Sequence, residues 1–169
     1  VTVTPFGIDL TTFSTACPDK TGETAPLVGC VKNLRRLSGI DYLLKAVPLV
    51  LDQCPKAKFL IVGSPHGAGE KEIEQELKES VRLSGLEDYI RFQTAVPHSE
   101  MPRLLSSLRV LALPSLSEAF GVVALEAQAM EVPVVSFAVG GLKETVAHRR
   151  SGFLVEKGSW EDLGDRISE

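Results

Sequence analysis

The sequence contains no apolar run approaching the roughly 20 residues of a helical membrane span, and its start has no signal-peptide pattern. Nor is there an excess of positive charge. Lys and Arg number 18 against 22 Asp and Glu, a formal net charge of −4, which argues against a general nucleic-acid binder with its basic stripe. Cysteine is scarce. Cys17, Cys30 and Cys54 are odd in number and lack metal-type spacing, so they read as buried or incidental thiols in a reducing cytosol. No repeat, low-complexity tract, Ser-His-Asp or Cys-His arrangement, or metal-ligand cluster is visible. His66, His98 and His148 stand without recognisable partners and read as surface or capping residues. The rest is an ordinary globular composition, 44% apolar and 24% charged, in 169 residues, enough for one domain with a proper core.

Periodicity divides that domain into alternating strands and helices. Short apolar runs predict strands over 27–31, 58–63, 89–93, 109–113, 132–137 and 152–156. Helical spacing predicts helices over 40–53, 70–84, 99–108, 122–130, 141–148 and 159–167, the third capped by Ser99. Pro48 is expected to kink the first helix. The second shows a solvated acidic face, with Ile73, Leu77 and Val81 turned inward. Strict alternation predicts an α/β fold, a Rossmann-like doubly wound parallel sheet of about six strands with helices on both faces. Ligands of such sheets bind at the carboxyl ends of the strands.

The chain is organised around residues 114–126, PSLSEAFGVVALE. Pro114 stops the buried strand, residues 115–118 turn out of the sheet, and Gly121 admits the backbone to a helix. That helix N-terminus offers free N–H groups and a positive dipole end to an anion. Glu118 stands at the mouth of the loop, and Glu126 lies about 7–8 Å along the helix axis at ~1.5 Å per residue. A phosphate on the N–H groups with a hydroxylated ring at each carboxylate, as in a nucleotide-sugar, suits the arrangement. A solvated loop Glu and a first-turn Glu favoured by the dipole suit it as well.

Ser117-Glu118-Ala119-Phe120-Gly121 with Glu126, then Glu131-Val132-Pro133-Val134-Val135 and Gly140-Gly141-Leu142-Lys143-Glu144, resembles the donor-binding half of the GT-B-fold retaining glycosyltransferases of family 4. The signature is a Glu, seven residues, a second Glu, a Pro-Val-Val strand and a Gly-Gly turn. The resemblance runs along essentially the whole chain. It implies that residues 1–25, with Pro5-Phe6-Gly7-Ile8-Asp9, form the interdomain hinge and 26–169 the nucleotide-sugar-binding domain, an excised C-terminal half of the GT-B fold.

What the resemblance implies for the site follows residue by residue. Glu118 would take the donor sugar hydroxyls and Glu126 the ribose. Ala119, Phe120, Gly121 and Val122 would supply backbone contacts, and Ala95-Val96 would read the base, with Thr94 standing where relatives have Gly. Relatives grip the diphosphate with a basic residue after the first strand and a Lys five positions later. Lys32 matches the first, whereas Leu37 occupies the second, leaving Arg36 as the candidate substitute although guanidinium and ammonium are not interchangeable. Lys32 and Glu118 are therefore the candidate catalytic residues; neither Glu118 nor Glu126 is the candidate nucleophile. The implied reaction is transfer of a sugar from a nucleoside diphosphate, UDP favoured, with retained configuration and with no cofactor or metal. The acceptor, a glycan or a lipid-linked one, would be bound by the N-terminal half, so the domain alone would be inactive. A cytoplasmic protein is implied, any membrane association lying in that other half. Leu37 keeps a non-catalytic nucleotide-sugar-binding module open, and a sugar-nucleotide epimerase shares the two-domain fold.

Overall fold

The computed structural model describes residues 7–14, 25–65 and 67–169. Cys17, His66, Pro5 and Phe6 lie outside them, and so does most of the expected hinge. Six strands form one parallel sheet: β1 (Leu27–Val31), β2 (Lys58–Val62), β3 (Ile90–Gln93), β4 (Val110–Leu113), β5 (Val134–Phe137) and β6 (Gly152–Val155). Their order is β3-β2-β1-β4-β5-β6. Every neighbouring pair is parallel, with Val28 beside both Phe59 and Val110. The doubly wound α/β fold expected from the alternation is the fold observed.

The helices are α1 (Ile40–Gln53), α2 (Ala68–Leu83), α3 (Met101–Ser106), α4 (Val122–Ala129), α5 (Leu142–Thr145) and α6 (Trp160–Ser168). The helix α1 packs against α2 and α6, while α4 packs against α3 and α5, so two groups cover the two faces. Helices α1 and α6 approach tightly at Gly164, where a side chain would meet Leu49 Cβ at 3.2 Å. Strands β1 and β4 carry near-continuous buried apolar residues, as strands covered on both faces must. Residues Leu111, Leu113, Phe137, Leu142 and Leu163 are fully enclosed.

Four local expectations are adjusted by the structure. The helix α1 runs through Pro48 without interruption. Ser99 does not cap α3; it lies inside a 3-10 turn, His98–Glu100, that leads into the helix, and Pro102 sits in the first helical turn where its missing N–H costs nothing. The helix at 141–148 is only one turn, because Val146 is already extended. Phe13, within the segment assigned to the hinge, is 2% exposed and belongs to the core. It ends a turn in which Asp9 accepts bonds from the Thr11 and Thr12 hydroxyls, at 2.6 and 2.9 Å.

The strand order places the site. From β1 the chain winds outward through β2 and β3, then returns to β4 on the other side of β1 and winds the opposite way. The loops leaving β1 and β4 therefore diverge and open a crevice at the carboxyl edge, where ligands of such sheets bind.

Candidate functional site

A cavity of about 460 Å³ occupies that crevice. Its walls come from the end of β1 with the following turn (Lys32, Asn33, Arg35, Leu37), from Gly63 after β2, from Ala95 and Val96 after β3, and from the β4–α4 loop. The last contributes Ser117, Glu118, Gly121 and Val122. The structure thus gathers Lys32, Val96, Glu118, Gly121 and Val122 on one cleft, from three separate connections.

Lys32 Nζ and Glu118 form a hydrogen-bonded ion pair across the crevice, both side chains about one-sixth exposed. The two residues singled out as catalytic candidates, 86 positions apart in sequence, are paired with each other. Ser115, fully buried, places its hydroxyl 3.5 Å from the same Glu118 oxygen. Lys32 is anchored by its backbone, its N–H donating to Val62 O at 3.0 Å. Two residues earlier, Cys30 is fully buried, and burial pushes its thiol up to about 12. It is a packing residue at neutral pH, not a nucleophile.

The glycines of the motif have a packing explanation. Gly121 caps α4 at φ +83, a left-handed conformation that glycine reaches freely. Gly140 lies at φ +44, and a side chain there would stand within 2.9 Å of the Glu118 carbonyl carbon and closer still to its oxygen. A side chain at Gly141 would fall 2.5 Å from Phe120 Cα and 2.6 Å from Ala119 O. Gly141 N–H donates to Glu118 O at 3.2 Å. The Gly-Gly turn is therefore the floor on which the Glu118 loop rests. The backbone of Ala119 and Phe120 lies against that turn, neither residue lines the cavity, and Phe120 O accepts from the Thr145 hydroxyl at 3.4 Å.

Arg36, the candidate second cation, is not among the residues that line the cavity. Its Nη2 donates to both carboxylate oxygens of Glu76 on α2, at 3.0 and 2.8 Å, and the side chain is 71% exposed. Arg36 lines a separate cavity shared with residues of α1 and α2, among them Asp41 and Glu76. Arg35 lines the crevice instead, its Nε 2.7 Å from Glu70 at the start of α2. Leu37, at the position where the resemblance expects Lys, is 60% exposed on the cleft wall.

Glu126 is 5% exposed and sits one helical turn beyond Val122 and Val123, which line the cleft. One carboxylate oxygen lies 2.9 Å from His98 Nε2. His98 was thus more than a capping residue, yet nothing in the sequence pairs it with Glu126, 28 positions away. His148, by contrast, accepts from Leu154 N–H at 3.0 Å beside β6, far from the crevice. Among the described residues no group of three or more His, Cys, Asp or Glu could hold a metal ion. Among them, too, no helix is long and apolar enough to cross a membrane.

Residues 18–169 match the family described as glycosyl transferases group 1. The chain belongs to this family. Among its group 1 relatives are D-inositol 3-phosphate glycosyltransferases of Corynebacterium urealyticum, 37% identical over 86% of this chain and 36% of the relative, and of Frankia alni, 34% identical over 99% and 44%. The chain therefore spans less than half the length of these curated relatives. Similar solved structures include Anabaena HepE in complex with UDP and glucose (TM-score 0.81, 28% identity, 95% of this chain and 44% of that one). Sucrose-phosphate synthase of Thermosynechococcus elongatus is another (0.83, 29%, 96% and 41%). The sheet and its crevice are those of one half of a GT-B glycosyltransferase.

Proposed function

We propose that this chain is the donor-binding half of a retaining glycosyltransferase of family 4, binding a nucleoside-diphosphate sugar, a UDP-sugar by preference. The observation that carries the reading is the Lys32–Glu118 pair at the switch-point crevice, directly before the N-terminus of α4. The UDP bound by HepE, a relative by structure and sequence, supports the choice of nucleotide.

In this reading the diphosphate settles on the first N–H groups of α4, where the helix dipole favours negative charge. Lys32 transfers its ion pair from Glu118 to the phosphate and stabilises the charge that develops as the diphosphate leaves. Glu118, released, accepts the hydroxyls of the donor sugar, and Glu126 those of the ribose. Backbone at Ala95 and Val96 faces the base. No metal or cofactor takes part. The acceptor, a glycan or a lipid-linked one, is bound by an N-terminal half that this chain does not include, and the isolated domain does not turn over. Retention of configuration and a cytoplasmic location rest on the motif resemblance alone.

Calorimetric titration with UDP, GDP and UDP-sugars tests the reading. One nucleotide should bind, and Lys32→Ala should weaken it at least about tenfold, the worth of one charge-assisted hydrogen bond. Absence of binding by every nucleotide would refute it. Leu37 motivates a second reading, a non-catalytic binding module lacking the second cation. If Leu37→Lys, placed in a protein carrying the acceptor half, brings no gain in turnover, the second reading is favoured.

A further inference from the structure

Glu126 is a carboxylate nineteen-twentieths buried in the wall of a helix, and a buried carboxylate is costly unless hydrogen bonds hold it. The bond that meets it comes from His98, whose Nε2 lies 2.9 Å from Oε1. Opposite an ionised carboxylate that nitrogen must carry the proton and donate. His98 itself is 70% exposed on its side chain, so packing around it does not fix its ring. Phe13 does: the two rings meet edge to face, with centroids 5.3 Å apart and planes at 66°. Phe13 is in turn 2% exposed and seated in the core.

We propose that His98 is a positioning residue for recognition of the nucleotide ribose, acting through Glu126. The inference rests on the donor-binding reading above, in which Glu126 takes the ribose hydroxyls. A carboxylate that must accept from two vicinal hydroxyls has to present its oxygens in one plane and one direction. A helical Glu has three side-chain torsions with which to miss that plane. The His98 bond occupies Oε1 and fixes the plane, and the Phe13 edge contact fixes the imidazole. Removing His98 leaves Glu126 buried yet free to turn.

The test is calorimetric titration of the full chain with UDP and GDP, each beside its 2′-deoxy counterpart. The wild-type chain should prefer the ribose form of whichever nucleotide binds. His98→Ala should weaken ribose-nucleotide binding by about tenfold, the scale of a hydrogen bond to a charged group, and bring the ribose-to-deoxyribose ratio close to one. His98→Gln, which still presents an N–H, should restore most of the ratio. Because His98 is largely exposed, both variants should fold with a single cooperative thermal transition; the midpoint of His98→Ala should fall modestly, since Glu126 stays buried without that bond, and that of His98→Gln should lie nearer the wild type. If His98→Ala weakens ribose and deoxyribose forms equally, or leaves the ratio at its wild-type value, the inference is overturned while the donor-binding reading stands. A wild-type chain that binds no nucleotide overturns both.

Discussion

Replacing Gly140 with alanine tests the claim that the Gly-Gly turn is the floor of the site. The residue sits at φ +44, and holding an L side chain in the left-handed region costs about 1–2 kcal/mol. The new methyl would also press into the Glu118 carbonyl, a backbone group that cannot swing away as a side-chain end can. Overpacking of that kind adds about 1–3 kcal/mol. Gly85 supplies the control. It closes α2 at φ +65, with Leu86 N–H donating to Val81 O at 3.1 Å, and a methyl there meets nothing within 4 Å. Gly85→Ala therefore carries the conformational cost alone. In urea denaturation with m about 1–3 kcal/mol/M, Gly140→Ala should lower the midpoint by about 0.5–2 M more than Gly85→Ala does. Gly140→Ala should also weaken UDP binding, because the carbonyl it displaces belongs to Glu118, whereas Gly85→Ala should leave binding intact. Equal midpoints for the two variants would refute the steric argument.

Other consequences can be checked as directly. Arg36→Ala removes an exposed pair and should change stability by no more than about 1 kcal/mol, with nucleotide affinity unchanged; a loss of affinity comparable to that of Lys32→Ala would return Arg36 to the site. Cys30 should make folding stability fall in alkali. An unfolded thiol ionises near 9.0, the buried one near about 12, so above the first value the unfolded chain has lost a proton that the folded chain keeps. Stability is thus full below the first value and lost as pH rises toward the second. From about pH 8 to about pH 10 the loss should be about 1.4 kcal/mol. In Cys30→Ala the denaturation free energy should lose that slope, and an unchanged slope would count against the burial argument.

Much of the fold could be read from the sequence because the signals were local. The helix α1 appears at the predicted bounds, since its apolar spacing and the turn before it agree. The strands differ from prediction by one or two residues at most, and the lost residues are ends, such as Val132 and Pro133, that precede the first paired residue of β5, Val134. The motif's glycines stood out in the sequence, but their reason did not: that Gly140 lies against Glu118 needs the fold to bring the 21 residues between them back on themselves. That Arg35 lines the crevice was not legible either. Adjacent residues entering a 3-10 turn point in different directions, so one cation faces the crevice and its neighbour faces Glu76. His98 was invisible for a similar reason. Its partner is a helix residue beyond β4, and only the return of the chain from β3 across the sheet sets the two side by side.

The most direct test of the account is a titration of the isotopically labelled chain with UDP, followed through its backbone amide resonances. The account predicts shifts confined to the carboxyl edge: Lys32 and Asn33, Gly63, Val96, and the loop from Ser117 through Val122 into α4. Shifts centred instead on the cavity at the opposite edge, formed by Glu131, Arg149 and Gly152, would contradict it, as would a spectrum that neither UDP nor GDP perturbs.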